Sequence, residues 1–507
     1  MADHYQKFNS TINRRDQQNE GDMSEPVSRE NWLCRDGKLQ VPKGTERAIT
    51  TVLSGKPRWM GRYYTVETGI SSPKSFIYTE DGVLWVMNSL AQTATSILSN
   101  LNTNAYPVHQ LFKTQNQTKL FLVDGENLFR YDGNNDNNFE LLNITDTNGA
   151  TLDPIDVIEH KDRLCMISET NLYISKNLEP ENFADATDSL VIIVGSGRGR
   201  NLALGKLEDR LFILTTEGIF VLEGDVISAL AQTFEVRLVD ERKIIAGRSV
   251  ANVEKALVFL ADDYEIWSFD GSDSELLTYK FKLKDTITKV KEVLKKTVAT
   301  YFNNYFMISF AEEGEIEPNL ELWWDAFENK VDIVRGRNVS CYLDVDSAQE
   351  NDFLQTGRSD VNRIMDCERG YNFDGAVIVT RLRTRDITPK KGHNVRFLAF
   401  YPEINPTANL NITIQYLLDG RSSQPSGSAP WWEQSLRGEV VNIGIGPAVV
   451  SNQSNFTDRV RPKINYARGE SIAFSITMNT LNVRADFVGM GIDFIARSKS
   501  KGKLVGA

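Results

Sequence analysis

FIYTEDGVLWVMN (residues 76–88) and LFLVDGENLFRYDG (residues 120–133) each contain an apolar strand, a short polar turn and a second strand rich in aromatic residues. The same pattern occurs six times within residues 76–331, and its copies begin 44, 44, 47, 46 and 48 residues apart. One four-stranded blade of a β-propeller takes roughly 40–50 residues. The spacing therefore predicts an all-β fold with a six-bladed β-propeller. The other four copies are LCMISETNLYISK (164–176), LFILTTEGIFVLEG (211–224), LVFLADDYEIWSFDG (257–271), and YFMISF followed after a longer turn by LELWWDAF (305–327).

We expect each repeat to supply the two central strands of its blade, with the outer strands in the segments between repeats. The turns hold Asp-Gly, Glu-Gly or related pairs, which suit two antiparallel strands. A closed ring also needs a strand from the other end of the propeller to complete the last blade. The β-rich segment TERAITTVLSG (residues 45–55) is predicted to be that strand. The alternative is an open or two-domain all-β arrangement of the six hairpins.

We therefore divide the chain into three regions: an N-terminal arm and hairpin (residues 1–44), the propeller (residues 45–335) and a C-terminal β-sandwich with a flexible basic tail (residues 336–507). The first 31 residues are polar, so we expect an extended arm that gains order against a neighbouring subunit. Beyond the propeller, alternating strands without helical periodicity are typical of an antiparallel sandwich. A long loop there carries Trp431 and Trp432, which we interpret either as a partner contact or as a buried anchor of the loop.

Composition argues against several functional classes. The chain has 57 Lys and Arg against 68 Asp and Glu, a formal net charge of −11, whereas a surface that grips nucleic acid needs clustered cations. Its four histidines are isolated in the sequence, which gives histidine-based metal binding or proton transfer little to build on. No window has the roughly 20 uncharged apolar residues of a membrane span, and the N-terminal residues lack the apolar core of a signal peptide, so we expect a soluble cytosolic product. The four cysteines are widely separated and predicted to be reduced thiols in core positions: Cys34, Cys165, Cys341 and Cys367.

Candidate catalytic groups are few. Acidic residues recur at equivalent turn positions and could be read as carboxylates for glycoside hydrolysis, but turn chemistry explains them better, since catalysis needs two acids in different environments. VGSGRGRN (residues 194–201) resembles a phosphate-binding loop only superficially, because a strand and not a helix follows it. We interpret it as a blade connection in which Arg198 or Arg200 can contact an acid of a partner. We therefore predict no enzymatic activity, no cofactor and no metal ion. The turn acids are Asp81, Asp124, Glu169, Glu217 and Asp262.

The order of segments resembles a known family. A polar arm is followed by W-x-x-R-D-G-K-L-x-V-x-K-G-T (Trp32 to Thr45), then by the hairpins, then by N-F-D-G-A-V-I-V-T-R-L-R-T (residues 372–384). This order resembles the propeller-bearing tail hub or nozzle proteins of short-tailed bacteriophages. The resemblance implies a structural virion protein of the tail, assembled in the host cytoplasm as a hexameric ring below the portal and adaptor. It also implies that the ring forms or closes the DNA channel, touches passing DNA only passively and docks fibre or needle proteins.

Two other functional classes compete with a tail protein. A carbohydrate-binding or carbohydrate-cleaving propeller, or a host-surface adhesin, would need aromatic and acidic residues converging on one propeller face. Its candidate platform residues lie within strands, which favours core positions for them: Trp85, Trp267, Trp323 and Trp324. A cellular protein-interaction propeller is the third class, and the absence of a recognised blade signature counts against it.

Overall fold

The repeated hairpins fold as the sequence predicts. In a computed structural model of the protein, each becomes the two central strands of a four-stranded antiparallel unit, and the sixth unit continues into a larger sheet. Gly82 and Gly125, in the first two hairpin turns, have φ values of 72° and 86°, a left-handed conformation that glycine adopts without steric cost. The structure describes residues 2–7, 12, 14, 25–35, 38–64, 73–114, 117–133, 139–224, 227–228, 231–232, 234–345, 353–388, 394–407, 410–418, 440–445, 468–469 and 471–497.

Seven four-stranded units follow one another along the chain, and we number them blades 1 to 7. Blade 1 contains β6 (Pro57–Tyr63), β7 (Lys74–Thr79), β8 (Leu84–Asn88) and β9 (Thr93–Leu98). Blade 2 contains β10 (Val108–Lys113), β11 (Thr118–Val123), β12 (Leu128–Tyr131) and β13 (Glu140–Leu142). Blade 3 contains β14 (Asp156–His160), β15 (Arg163–Ile167), β16 (Asn171–Ile174) and β17 (Leu190–Ile193). Blade 4 contains β18 (Asn201–Leu207), β19 (Arg210–Thr215), β20 (Ile219–Glu223) and β23 (Glu235–Asp240), with a small hairpin of β21 (Ile227–Ser228) and β22 (Ala231–Gln232) before its last strand.

The remaining blades follow the same order. Blade 5 contains β24 (Ala251–Val253), β25 (Ala256–Leu260), β26 (Ile266–Phe269) and β27 (Ser274–Leu276). Blade 6 contains β28 (Val298–Phe302), β29 (Tyr305–Phe310), β30 (Leu320–Asp325) and β31 (Lys330–Arg335). Blade 7 contains β32 (Val339–Val345), β33 (Phe353–Arg358), β34 (Ile364–Cys367) and β5 (Thr45–Arg47). Short helical turns lie between blades, at Gly247–Ser249 and Leu283–Asp285 and in α1 (Lys291–Leu294).

The blades close into a ring. The first strand of every blade contacts the first strand of the next, and β32 of blade 7 contacts β6 of blade 1. Separate hydrophobic clusters fill six of the spaces between neighbouring blades, and the cluster between blades 6 and 7 continues into the sandwich core. Between blades 1 and 2 the cluster includes Tyr78, Leu122 and Tyr131, all fully buried. The propeller core is therefore a set of apolar wedges, which explains why the central strands are almost continuously apolar.

The propeller has seven blades, which corrects the prediction of six. Blade 7 takes residues 339–367, which the sequence assigned to the sandwich, so the propeller strands extend beyond residue 335. Its hairpin begins at Phe353, 48 residues after Tyr305, but its strands include polar residues such as Gln355 and Thr356 in place of an apolar run. Gln355 Nε2 donates to Asp366 Oδ1 at 2.9 Å, which links the two strands of this polar hairpin. The predicted closing segment is confirmed in its first three residues, because β5 pairs with β34.

The β-sandwich is built from both ends of the chain. One sheet continues blade 6 outward as β31, β2, β35, β40, β37 and β38, and the other has the order β3-β4-β41-β36-β39, with β1 also paired to β41. A shared core lies between the two sheets, with Ile412 and Ile476 from the first facing Phe397 and Phe487 from the second. The strands are β1 (Ala2–Gln6), β2 (Ser28–Glu30), β3 (Leu33–Arg35), β4 (Lys38–Gln40), β35 (Ile378–Arg383), β36 (Asn394–Pro406), β37 (Leu410–Leu418), β38 (Val440–Ile445), β39 (Arg468–Gly469), β40 (Ile472–Thr480) and β41 (Ala485–Arg497).

The described parts of the N-terminal arm pack on their own chain, which corrects the expectation that the arm needs a neighbour. Ile12 is buried in the cluster between blades 5 and 6, and Arg14 donates to Thr286 Oγ1 at 3.0 Å. β2 lies between β31 and β35 and thereby joins the propeller to the sandwich. The buried ion pair of Arg29 with Asp332 fixes β2 there, because an isolated buried charge would be costly.

Candidate docking face

Because neighbouring strands within each blade are antiparallel, the propeller has two different faces. The connection face carries the beginnings of the first strands, the turns between second and third strands, and the connections from blade to blade. The opposite face carries the turns between first and second strands and between third and fourth strands. The five turn acids therefore lie together on the connection face, in five different blades.

Cationic side chains meet at the axis of the connection face. The guanidinium groups of Arg58, from blade 1, and Arg248, just before blade 5, lie 5.0 and 5.2 Å from the ring centre of Tyr106, just before blade 2. Arg248 Nη2 donates to the backbone oxygens of Arg58 at 2.8 Å and Ser340 at 3.0 Å. Blade 5 borders neither blade 1 nor blade 7, so Arg248 reaches across the interior of the ring. This cluster ties non-adjacent blades together and fills the axis at this end.

A carboxylate completes the axial cluster. Glu317, from the hairpin turn of blade 6, accepts from Lys296 Nζ at 2.8 Å and from Lys56 Nζ at 3.4 Å. The cavity among these side chains has a volume of about 20 Å³, enough for a single water molecule. Burial lowers the pKa of the Arg248 guanidinium and raises the pKa of the Tyr106 phenol. The cluster is therefore a packed, mainly cationic plug at the axis.

The glycine-rich segment is a blade connection, as the sequence predicts. Residues 194–200 join β17 to β18, and Gly195 and Gly197 have φ values of 61° and 69°. Ser196 donates to Glu217 through both its backbone N–H and its hydroxyl, so the loop is pinned to the hairpin turn of blade 4. Arg198 is exposed beside it. Arg200 is also exposed and lies 3.7 Å from Glu169 Oε1, which places both predicted contact residues on the connection face.

The turn acids hold local structure. Asp124 is 1% exposed, and its Oδ1 accepts from the backbone N–H groups of Asn127 at 2.8 Å and Glu126 at 3.2 Å. Glu217 holds the connection loop, and its bonds with Ser196 lower its pKa. These contacts agree with the prediction that the acids serve the turns.

Three buried carboxyl groups with raised pKa values were not predicted: Asp156, Glu265 and Glu321. Burial raises the pKa of Asp156 to about 7, and the carboxyl accepts from the backbone N–H groups of Leu204 and Val157 at 2.7 Å each. It thereby links the first strands of blades 3 and 4. Burial also raises the pKa of Glu321, between blades 6 and 7, which pairs with Arg337 at 3.2 Å. Asp156 is an acid within the apolar stretch IDVI, and this pattern could have indicated a buried carboxyl. The strand of Leu204, which it contacts, lies 48 residues further along the chain and could not be predicted from the local sequence.

The candidate aromatic platform is dispersed. Trp85, Trp267, Trp323 and Trp324 contribute to four separate clusters between blades or beside the sandwich. Trp323 is 2% exposed, and the indole N–H groups of the other three donate to side chains of their own hairpins. They therefore do not converge on one face. The predicted contact residues Trp431 and Trp432 lie outside the described residues.

The cysteines occupy core positions, as predicted. All four are buried free thiols, and burial raises the pKa of Cys165 to about 12 and of Cys341 to about 11. Within the described residues, no group of three or more His, Cys, Asp or Glu side chains is placed to hold a metal ion. That same part of the chain contains no helix with the length and apolar character to cross a membrane.

Comparison with known proteins finds solved structures only. No family model and no curated protein matches the sequence. The chain is similar to BBS1N in a crystal structure with ARL6DN, with a TM-score of 0.41 and 11% identity over 67% of this chain and 96% of that one. It is also similar to Raptor of Chaetomium thermophilum, with a TM-score of 0.43 and 10% identity over 67% of this chain and 30% of that one. A third similar structure is the β-propeller domain of Myceliophteria thermophila Cps50 (Swd1), with a TM-score of 0.38 and 11% identity over 58% of this chain and 93% of that one. The propeller assignment itself stands on the seven sheets.

Proposed function

We propose that this chain is a structural protein of a bacteriophage tail, a hub or nozzle subunit that forms or closes the DNA channel and docks other tail parts. The observation that carries the proposal is the position of the two motifs behind the resemblance. Thr45 N–H, at the end of the first motif, donates to the backbone oxygen of Asn372, at the start of the second, at 2.8 Å. Two stretches more than 300 residues apart in sequence therefore meet where the propeller closes.

The same joint supports a load-bearing role. Trp32, from the first motif, is fully buried, and Phe373, from the second, is 3% exposed in the same core. The second motif then continues into β35, which pairs with β2 of the arm. Propeller and sandwich thus share one sheet and one core, as a rigid spacer between other tail parts requires.

The remaining parts of the proposal concern assembly. In a homo-oligomeric ring of about six copies, the exposed Arg198 and Arg200 would contact acids of an adaptor-side, portal-side or fibre protein, and Trp431 and Trp432 a further partner. The net charge of −11 would repel the DNA backbone and limit friction during passage. Assembly would take place in the host cytoplasm, and the mature location would be the virion.

Native mass spectrometry of the purified full-length chain over a range of concentrations tests this proposal. We expect assemblies of about six or twelve copies, because heterologous contacts between identical subunits close into rings. A glycan-binding screen on the same sample provides the comparison with a carbohydrate-binding propeller. A chain that stays monomeric and binds or cleaves a glycan would overturn the proposal.

A further inference from the structure

The connection from blade 5 to blade 6 is strongly basic. Residues 277–297 contain seven lysines and two acids, Asp285 and Glu292, in a chain whose net charge is −11. The lysines are Lys280, Lys282, Lys284, Lys289, Lys291, Lys295 and Lys296. We call this segment the lysine track.

The lysine track crosses the connection face from its rim to the axis. At the rim, Lys280 pairs with Glu25 of the arm at 2.5 Å. Midway, the backbone N–H of Thr288 donates to Ala311 O at 3.0 Å, which holds the track against the hairpin turn of blade 6. At the axis, Lys296 joins the axial cluster. The track is therefore an ordered surface with a defined direction.

Several track lysines have no partner within the part of the chain that the structure describes. Lys284, Lys289 and Lys291 are exposed and form no ion pair there, whereas Lys295 pairs with Glu292. Between Lys289 and Lys291, Val290 is 58% exposed, and Ile316 on the adjoining turn is 69% exposed. Docking against a partner would remove these two apolar side chains from water.

On the opposite face, the turns of blades 4 and 5 carry an excess of acids, with five exposed carboxylates against the exposed Lys255 and Arg210. Turns between first and second strands present Glu208 and Asp209 in blade 4 and Glu254 in blade 5, and all three side chains are exposed. The neighbouring turn of blade 5 adds exposed Asp270 and Asp273, and Arg210 links the two blades by donating to Gly271 O at 3.1 Å. We call these five acids the acid turns. On the same face, Phe327 is 81% exposed, which offers an apolar partner for Val290 or Ile316.

From these two surfaces we infer that the lysine track of one copy docks on the acid turns of a second copy, head to tail. The inference rests on the proposed homo-oligomeric ring and names its interface. Because the lysine track and the acid turns lie on opposite faces, the contact is heterologous, and such a contact closes a ring when the rotation between successive copies allows it. A protein partner fits better than DNA, because the exposed Val290 and Ile316 beside the track need an apolar partner, which Phe327 of a second copy offers.

Charge reversal on each surface tests the interface. Lys289→Glu with Lys291→Glu makes a track variant, and Glu208→Lys with Asp209→Lys makes a turn variant. Each alone places like charges opposite one another, so we expect self-association to weaken by about tenfold or more in sedimentation velocity. A 1:1 mixture should assemble again, because copies that alternate around an even-numbered ring restore both kinds of opposite-charge contact.

A matched control separates this contact from net charge. Lys38→Glu with Lys43→Glu makes the same charge change as the track variant at exposed lysines outside both surfaces, and it should assemble like the unmodified chain. Melting curves confirm that each variant is folded. Unchanged assembly of both variants, or no recovery in the mixture, would overturn the interface and leave the ring proposal standing.

Two further outcomes distinguish the remaining cases. An unmodified chain that stays monomeric at every concentration would refute the ring and the interface together. Tight binding of a DNA duplex that the track variant loses, while assembly stays unchanged, would assign the track to nucleic acid and overturn the interface.

Discussion

Replacing Arg29 with methionine tests how the arm joins the propeller to the sandwich. Arg29 and Asp332 form an ion pair whose side chains are 0% and 1% exposed, and Asp332 Oδ2 also accepts from Cys34 N–H at 3.0 Å. Methionine fills a similar space but leaves the Asp332 carboxylate buried without its counter-charge. Breaking a buried pair from one side costs about 3–5 kcal/mol. We expect that loss to appear locally, in the opening of β2.

Hydrogen exchange gives the local measurement, which suits a chain of two packed domains because global unfolding need not be two-state. The backbone N–H groups of Val27 and Asn31 donate to Arg383 O at 3.0 Å and Ile333 O at 2.8 Å, so they report pairing on either side of β2. In Arg29→Met their opening free energy should fall by about 3–5 kcal/mol. Adding Asp332→Leu should recover most of the loss, because no buried charge then remains.

A neighbouring ion pair with an exposed arginine provides the matched control. Arg381 lies 3.4 Å from Glu30, and its side chain is 59% exposed, so Arg381→Met should cost less than about 1 kcal/mol. Equal effects of Arg29→Met and Arg381→Met would refute the reasoning, as would unchanged protection of Val27 and Asn31 in Arg29→Met.

Three further predictions concern closure, pH and the thiols. Gly44→Ala should weaken closure of blade 7, because a β-carbon there would overlap the backbone oxygen of Asn372. Faster exchange of the Thr45 amide checks this, and unchanged exchange would contradict it. The folded-state pKa of Asp156 is raised, so this carboxyl reduces the free energy of unfolding as pH rises from about 4 to about 7, by up to about 4 kcal/mol. Asp156→Asn should remove that part of the slope in denaturation curves, and identical slopes in both proteins would contradict it. A thiol reagent should modify the four buried cysteines only as the protein unfolds, and rapid labelling of the folded chain would contradict their placement.

The sequence predicted the parts of the fold in which local pattern and burial agree. The hairpins of blades 1 to 6 have apolar strands on both sides of a polar turn, because both sheet surfaces pack against neighbouring blades. Blade 7 escaped prediction because its strands carry Gln355, Thr356 and Gly357 where the other blades have apolar residues. Amphipathic spacing alone does not identify such a blade.

Contacts between distant parts of the chain could not be predicted from local sequence patterns. β2 is three residues long and pairs with strands about 300 and 350 residues away, so nothing in its own sequence specifies its place. The axial cluster of Arg58, Tyr106 and Arg248 likewise arises only when the ring closes and brings three blades together at the axis. Arg198 and Arg200 could be selected in advance because glycines around them predicted an exposed connection.

Electron microscopy of the purified full-length chain tests the central claim most directly. The proposed function predicts annular particles of about six or twelve copies around a central channel, each copy with a seven-bladed propeller joined rigidly to its sandwich. Particles that are single propellers at every concentration, with no annular assembly, would contradict it.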